Sequence, residues 1–126
     1  MNNQIARRQA FRFGRLGETM AAWALRLKGY RILASRFKTP VGEIDLVACR
    51  GSVLVFVEVK SRRGQGVSDQ PISPKQQQRI ARAALAFVQQ NQAFASHDMR
   101  FDLVLVRSWA LPRQIEGAWR IESHQL

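Results

Sequence analysis

The sequence predicts an α/β (α+β) domain whose elements run αβββαββ, a mixed central sheet flanked by helices. Three features carry that expectation. Apolar residues recur at helical spacing in two separate stretches, three strand-like runs lie between them, and Val53–Val57 is apolar at every position. The last is the pattern of a central strand covered on both faces.

The first helix is expected from about Arg15 to Lys28. Leu16, Met20, Trp23, Ala24 and Leu27 form one apolar stripe; Gly14, Gly17, Ala21 and Leu25 form a second on the opposite side, beside Glu18. Apolar on both sides, this helix is expected to be largely buried, and its small residues would let the Glu18 side approach a neighbouring backbone. Gly29 supplies a C-terminal stop.

Strands are expected at Tyr30–Phe37, Gly42–Arg50 and Val53–Ser61, with Pro40 punctuating the first connection and Gly51-Ser52 forming a two-residue hairpin loop. A polar, glycine-containing loop, RRGQGVSDQPIS, follows. Ser73 then offers an N-cap and Pro74 a first helical residue for the second helix, whose buried stripe is Ile80, Ala84, Phe87 and Val88. A strand at Arg100–Arg107 and a shorter one around Trp119–Glu122 close the chain. Residues 1–12 are expected as a flexible basic tail and 13–126 as a single domain.

Charge gives the first functional indication. Twenty Lys and Arg against nine Asp and Glu leave a net charge of +11, a field that attracts polyanions. Residues 1–38 hold nine of the basic residues and one acid, Glu18. Lys60, Arg62, Arg63, Lys75, Arg79 and Arg82 form a second cluster, interrupted by Asp69. Nucleic acid is the expected partner. No basic amphipathic helix with bulky apolar anchors points to a membrane surface, and no apolar run reaches the ~20 residues of a membrane span. The start lacks the apolar stretch of a secretory signal, so a cytoplasmic protein is expected. A single cysteine, Cys49, excludes a disulfide framework and a cysteine-rich zinc cluster.

The hairpin directs attention to four residues. A two-residue loop at Gly51-Ser52 sets Asp45 opposite Glu58 and Glu43 opposite Lys60, all on one face. Directly opposed residues have Cβ atoms ~4.5–5.5 Å apart, at which two carboxylates repel. Raised pKa values, a nearby cation or a bound metal would relieve the repulsion. A divalent metal does so best: Mg²⁺ takes one or two protein carboxylates and completes its shell with water and substrate phosphate. A lysine alongside could position the attacking water and stabilise developing charge. Glu18 is the further candidate ligand. Charged residues alternating on a strand also describe an ordinary solvated sheet face, and one residue more or less in the loop would turn the faces over.

The motifs GxxGE (Gly14 to Glu18), GEIDLV (Gly42–Val47), FVEVKSR (Phe56–Arg62) and RFDLV (Arg100–Val104) resemble the YraN-type family of uncharacterised bacterial proteins. That family is similar to Holliday junction resolvases and other PD-(D/E)xK nucleases. The resemblance spans about Phe13 to Ile121 and implies a restriction-endonuclease-like core. It matches Asp45 to the motif's aspartate, Glu58 to its second acid, Lys60 to its lysine and Glu18 to the helix glutamate of the resolvase-like branch. Ile44 stands where the motif has proline. The resemblance implies Mg²⁺ (or Mn²⁺) held by Glu18, Asp45, Glu58 and the Val59 carbonyl, cleavage of branched or otherwise structured DNA, and a homodimer. A non-catalytic nucleic-acid-binding module and a protein-directed adaptor are the rival expectations, since one fold hosts several functions.

Arg36, Lys38, Arg62, Arg63, Lys75, Arg79 and Arg82 are candidate phosphate contacts, although any one of them also suits a solvated basic face. Asp102 is expected to be structural or to support the site from behind. Packing roles are expected for Trp23, Trp109 and Trp119, and Cys49 is expected as a buried apolar filler. His97 and His124 lack partners at metal-ligand spacing.

Overall fold

The computed structural model describes residues 3–62, 72–107 and 110–120. Helix α1 (Asn3–Leu27) leads into strands β1 (Arg31–Thr39), β2 (Gly42–Arg50) and β3 (Val53–Arg62). Helix α2 (Pro74–Gln90), a short 3-10 turn (Gln92–Phe94), β4 (Asp98–Arg107) and β5 (Arg113–Trp119) follow. The five strands form one sheet in chain order. β3 and β4, joined through α2, run parallel, and the other neighbours are antiparallel. This is the mixed α+β architecture the sequence predicts.

The two helices cover opposite faces of the sheet. Leu54 and Phe56 of β3 lie in the core under α2, whereas Val55 and Val57 lie in the core under α1. The uninterrupted apolar run of β3 is therefore explained by two-sided burial. Helix α1 ends as expected: Gly29 adopts φ 92°, the Tyr30 N–H donates to the Leu25 carbonyl and the Gly29 N–H to that of Arg26. Those two bonds make a Schellman stop. At the start of α2, Ser73 Oγ accepts from the Gln76 N–H at 3.2 Å.

Three expectations need correction. Helix α1 begins at Asn3 rather than near Arg15, so the backbone of residues 3–12 is helical. Gln, Ala and Arg there favour helix by intrinsic propensity, which apolar periodicity does not register. Nor is α1 buried on both sides. Gly17, Ala21, Ala22 and Leu25 face the sheet, but Leu16, Trp23 and Leu27 are exposed, because only one sheet face meets the helix. Finally, the last strand is Arg113–Trp119, six residues before the expected start. It is an edge strand with Gly117 at φ 58° and a register shift opposite Phe101–Leu103, which interrupts its alternation. Ile121 and Glu122 lie outside the described residues.

Candidate functional site

The hairpin between β2 and β3 has the expected register. Arg50 pairs with Val53, and pairing continues to Leu46 with Val57. Gly51, at φ 60°, takes the first loop position, where a type II′ turn calls for glycine. Beyond Leu46–Val57 the side chain of Asp45 takes over from the ladder: its Oδ2 accepts a 2.7 Å hydrogen bond from the Val59 N–H. Asp45 and Glu58 are brought together there and hydrogen-bond to each other.

Asp45 sits at a break in strand alternation that the sequence concealed. Ile44 and Val47 both belong to the core under α2, whereas Leu46 faces α1. The facing strand breaks at the matching place. Ala34 and Phe37 both pack under α2, and Arg36 between them has φ 54°, an uncommon conformation for a residue with a side chain. Arg36 and Asp45 occupy the position between the register pairs Ser35–Leu46 and Phe37–Ile44. A run such as Ile44-Asp45-Leu46-Val47 carries apolar residues for either face, so its pattern could not reveal the slip.

Burial sets the charge state of the two carboxyls. Glu58 is pushed up to about 8, first by burial and then by the negative charge of Asp45, with Lys60 opposing. Burial likewise raises Asp45, against the Val59 N–H, and the charge of Glu18 adds to the rise. Without a cation the pair is best described as sharing a proton, with Glu58 the donor.

Lys60 Nζ lies 3.8 Å from Glu58 Oε1. Gln76, in the first turn of α2, donates from Nε2 to the same oxygen at 3.0 Å. Sequence reasoning missed Gln76: three consecutive glutamines follow Lys75, and only the cap at Ser73, which fixes where the helix starts, aims one of them at β3. Glu18 is near enough to act electrostatically on Asp45, but its carboxylate is paired with Arg36, with Nε to Oε2 at 2.9 Å. Glu43 is exposed and pairs in register with Lys38 of β1, not with Lys60. The small-residue side of α1 makes a close approach, though to the Ser61 side chain rather than to a neighbouring backbone as expected, since a Cβ on Gly17 would collide with Ser61 Oγ.

The basic candidates separate by location. Lys75 and Arg79 line a groove of about 640 Å³ between the β1–β2 turn and the start of α2, with Glu43 and Gln76 also on its wall. Lys38 and Arg82 are exposed on β1 and α2. Arg62 ends β3, though its side chain lies outside the described residues, as do Arg63, Trp109 and His124. Trp119 is buried and stacks on Phe101 at 5.5 Å, while Trp23 is exposed under Arg26. Cys49 is buried, as expected.

Asp102 proves structural. It is fully buried and accepts from Arg100 at 2.8 and 2.9 Å, from Gln114 Nε2 at 2.8 Å and from the Gly117 N–H at 2.9 Å. These bonds fasten the edge strand.

The site offers hard oxygen donors. Among the described residues no three His, Cys, Asp or Glu side chains converge as a ready metal cage. Two adjoining carboxyls whose proton a divalent cation could displace do suit Mg²⁺ or Mn²⁺, with water and phosphate supplying the remaining ligands.

The model of an uncharacterised protein family, UPF0102, matches residues 17–106. A UPF0102 protein of Paramagnetospirillum magneticum is 49% identical over 121 residues, covering 93% of this chain and 94% of the relative. Another, from Parvibaculum lavamentivorans, is 47% identical over 111 residues, covering 88% and 84%. A third, from Chelativorans sp., is 45% identical over 116 residues, covering 92% and 94%.

Proposed function

The chain belongs to the uncharacterised protein family UPF0102, and from that premise we propose that it is a Mg²⁺-dependent endonuclease hydrolysing DNA phosphodiesters on a restriction-endonuclease-like core. The observation that carries this reading is the Asp45–Glu58 pair. A chain with nine acids sets a half-buried Asp45 against a buried Glu58, beside Lys60, at the point where two strands separate. Two carboxyls set against each other beside a lysine hold a proton that a divalent cation can displace, and perturbed carboxyls of this kind cluster at functional sites.

Asp45 and Glu58 would hold the metal, with Glu18 and the Val59 carbonyl completing the protein ligands. When bound, Mg²⁺ supplies charge to polarise the phosphodiester and lowers the pKa of a water. Lys60 holds the attacking water in line with phosphorus and offsets the negative charge that develops as the P–O bond to the leaving strand breaks. Glu18 must part from Arg36 to join. Lys38, Arg62, Arg63, Lys75, Arg79 and Arg82 serve the phosphate backbone, which attracts a protein carrying +11. Branched or structured DNA is the substrate in this reading, with paired protomers making opposed cuts. A cytoplasmic setting accompanies it, and no described helix is long and apolar enough to cross a membrane.

The Glu18–Arg36 pairing favours a second reading, a binding module that uses the same charge without cutting. Incubation with labelled linear, flapped and four-way-junction DNA in Mg²⁺ or Mn²⁺ separates the two. Cutting abolished by EDTA and by Asp45→Ala, with binding retained, supports the nuclease. Tight metal-independent binding with no cutting of any substrate supports the module.

A further inference from the structure

On the α1 side of the sheet a second concavity borders the candidate site. It measures about 240 Å³ and lies between α1 and β1, lined by Arg15, Glu18, Thr19, Arg26, Ser35 and Arg36, with Leu46 at its floor next to Asp45. Three guanidinium groups and two hydroxyls against one carboxylate is an anion-binding composition. The carboxylate is itself neutralised, since Glu18 accepts from Arg36 at 2.9 Å, so the lining as a whole is net positive. Arg26 lies over the Trp23 ring at 5.1 Å, a contact that limits the freedom of its side chain. Thr19, one turn along α1, donates its hydroxyl proton to the Arg15 carbonyl at 3.2 Å, which leaves the guanidinium groups as the main anion donors of this wall. Arg36 reaches the pocket from a left-handed backbone, φ 54°. Conformations of this kind cost free energy and concentrate at functional positions.

We propose that this pocket is a second phosphate-binding site, in which Arg15 and Arg26, helped by Arg36, hold a backbone phosphate of the bound nucleic acid on the α1 side of the Asp45–Glu58 pair. The proposal rests on the nucleic-acid reading above. It extends that reading by giving the strand two footholds, one at the Lys75–Arg79 groove beside Gln76 and one here, on opposite sides of the strand ends.

The test is binding of a labelled oligothymidine strand in EDTA across a salt series, so that cleavage plays no part. Arg15→Gln/Arg26→Gln is compared with wild type and with Arg31→Gln/Arg113→Gln, an equal charge loss at other exposed positions. The pocket variant is expected to bind on the order of tenfold more weakly, the scale of one charge-assisted hydrogen bond, and more weakly than the control pair. Its log–log salt slope should be shallower by about 0.7 for each phosphate no longer held. Equal losses in both variants, or none in the pocket variant, overturn the site while leaving the nucleic-acid reading intact. A wild-type protein that binds neither this strand nor any duplex overturns both.

Discussion

The side chain of Asp45 bonds the backbone N–H of Val59 at 2.7 Å, taking the place of a ladder hydrogen bond where β2 leaves β3. That bond brings the Asp45 carboxyl against Glu58 and at the same time satisfies a backbone donor on the strand that carries Glu58 and Lys60. Site geometry and strand separation are thus one feature.

The shared proton makes stability depend on pH in a defined direction. Glu58 is raised from an ordinary 4.5 to about 8 in the fold, so the native state binds a proton that the unfolded chain releases. Its contribution is complete below about pH 4.5 and is lost as the pH rises through about 8. Asp45, also raised, acts in the same sense. In EDTA the thermal midpoint of the wild type should therefore fall across that window relative to Glu58→Gln, which keeps the hydrogen bond without titrating. Added Mg²⁺ should restore the wild type most strongly at the alkaline end. Parallel wild-type and Glu58→Gln curves would rule out the shared proton.

Lys60 is positioned beside Glu58 without being buried under it, so it can be replaced with little structural cost. Lys60→Met should reduce DNA cleavage by about 10²–10⁴, the range typical of a positioned proton-transfer group. DNA affinity measured in EDTA should change by no more than a surface lysine would cause. A comparable loss of affinity and cleavage would place Lys60 among the phosphate-binding residues instead.

Gln76 ties α2 to the site, and Ser73 fixes the start of that helix. Ser73→Ala should cost about 1 kcal/mol of stability, the usual value of an N-cap. Gln76→Ala should cost less stability but weaken Mg²⁺ activation, because Glu58 loses the donor that holds its Oε1. Titrating Mg²⁺ in the cleavage assay tests this: the variant should need more metal for half-maximal rate, and Gln76→Glu should not repair it.

The hairpin register was legible because Gly51-Ser52 leaves one pairing open to a two-residue loop; that pairing brings Asp45 near Glu58, and the bond from the Val59 N–H, beyond the end of the ladder, completes the approach. The start of α2 was legible for a similar reason, since Ser73 and Pro74 each have a local physical role at a helix N-terminus. What escaped depended on surroundings. Whether Leu16, Trp23 and Leu27 are covered is decided by the number of layers, not by α1 itself. Gln76 reaches Glu58 through a tertiary approach, and the left-handed Arg36 lies in a strand whose residue types carry no turn signal. The pairing of Glu18 with Arg36 likewise joins residues 18 positions apart on different elements.

Removing Asp102 should be among the most damaging single changes. Its fully buried carboxylate takes four hydrogen bonds, and Arg100, raised further by that partnership, would be left facing an empty position. Asp102→Ala should destabilise by roughly 3 kcal/mol, at the low end for a broken buried pair because Arg100 can turn toward water. Urea unfolding gives the value directly. A loss under about 1 kcal/mol would show that the edge strand is held by its apolar contacts instead.

Gly42 offers a test of how closely the site depends on the fit between β2 and α2. It stands three residues before Asp45, and a Cβ there would collide with the Arg79 carbonyl group. Backbone cannot swing aside as a side chain does, so Gly42→Ala must push the start of β2 away from the helix that carries Gln76. Overpacking of this kind costs about 1–3 kcal/mol. Gly51 provides the contrast. Its Cβ would meet nothing within 4 Å, but its φ of 60° penalises any side chain, so Gly51→Ala should cost roughly 1–2 kcal/mol. The two variants are therefore expected to be similar in stability and different in activity. Gly42→Ala should lose Mg²⁺-dependent cleavage, because the displaced strand separates Asp45 from Glu58, whereas Gly51→Ala, at the far end of the hairpin, should keep it. Equal activity at matched stability would mean that the carboxyl pair tolerates movement of β2, and its tight geometry could then not be what confers catalysis.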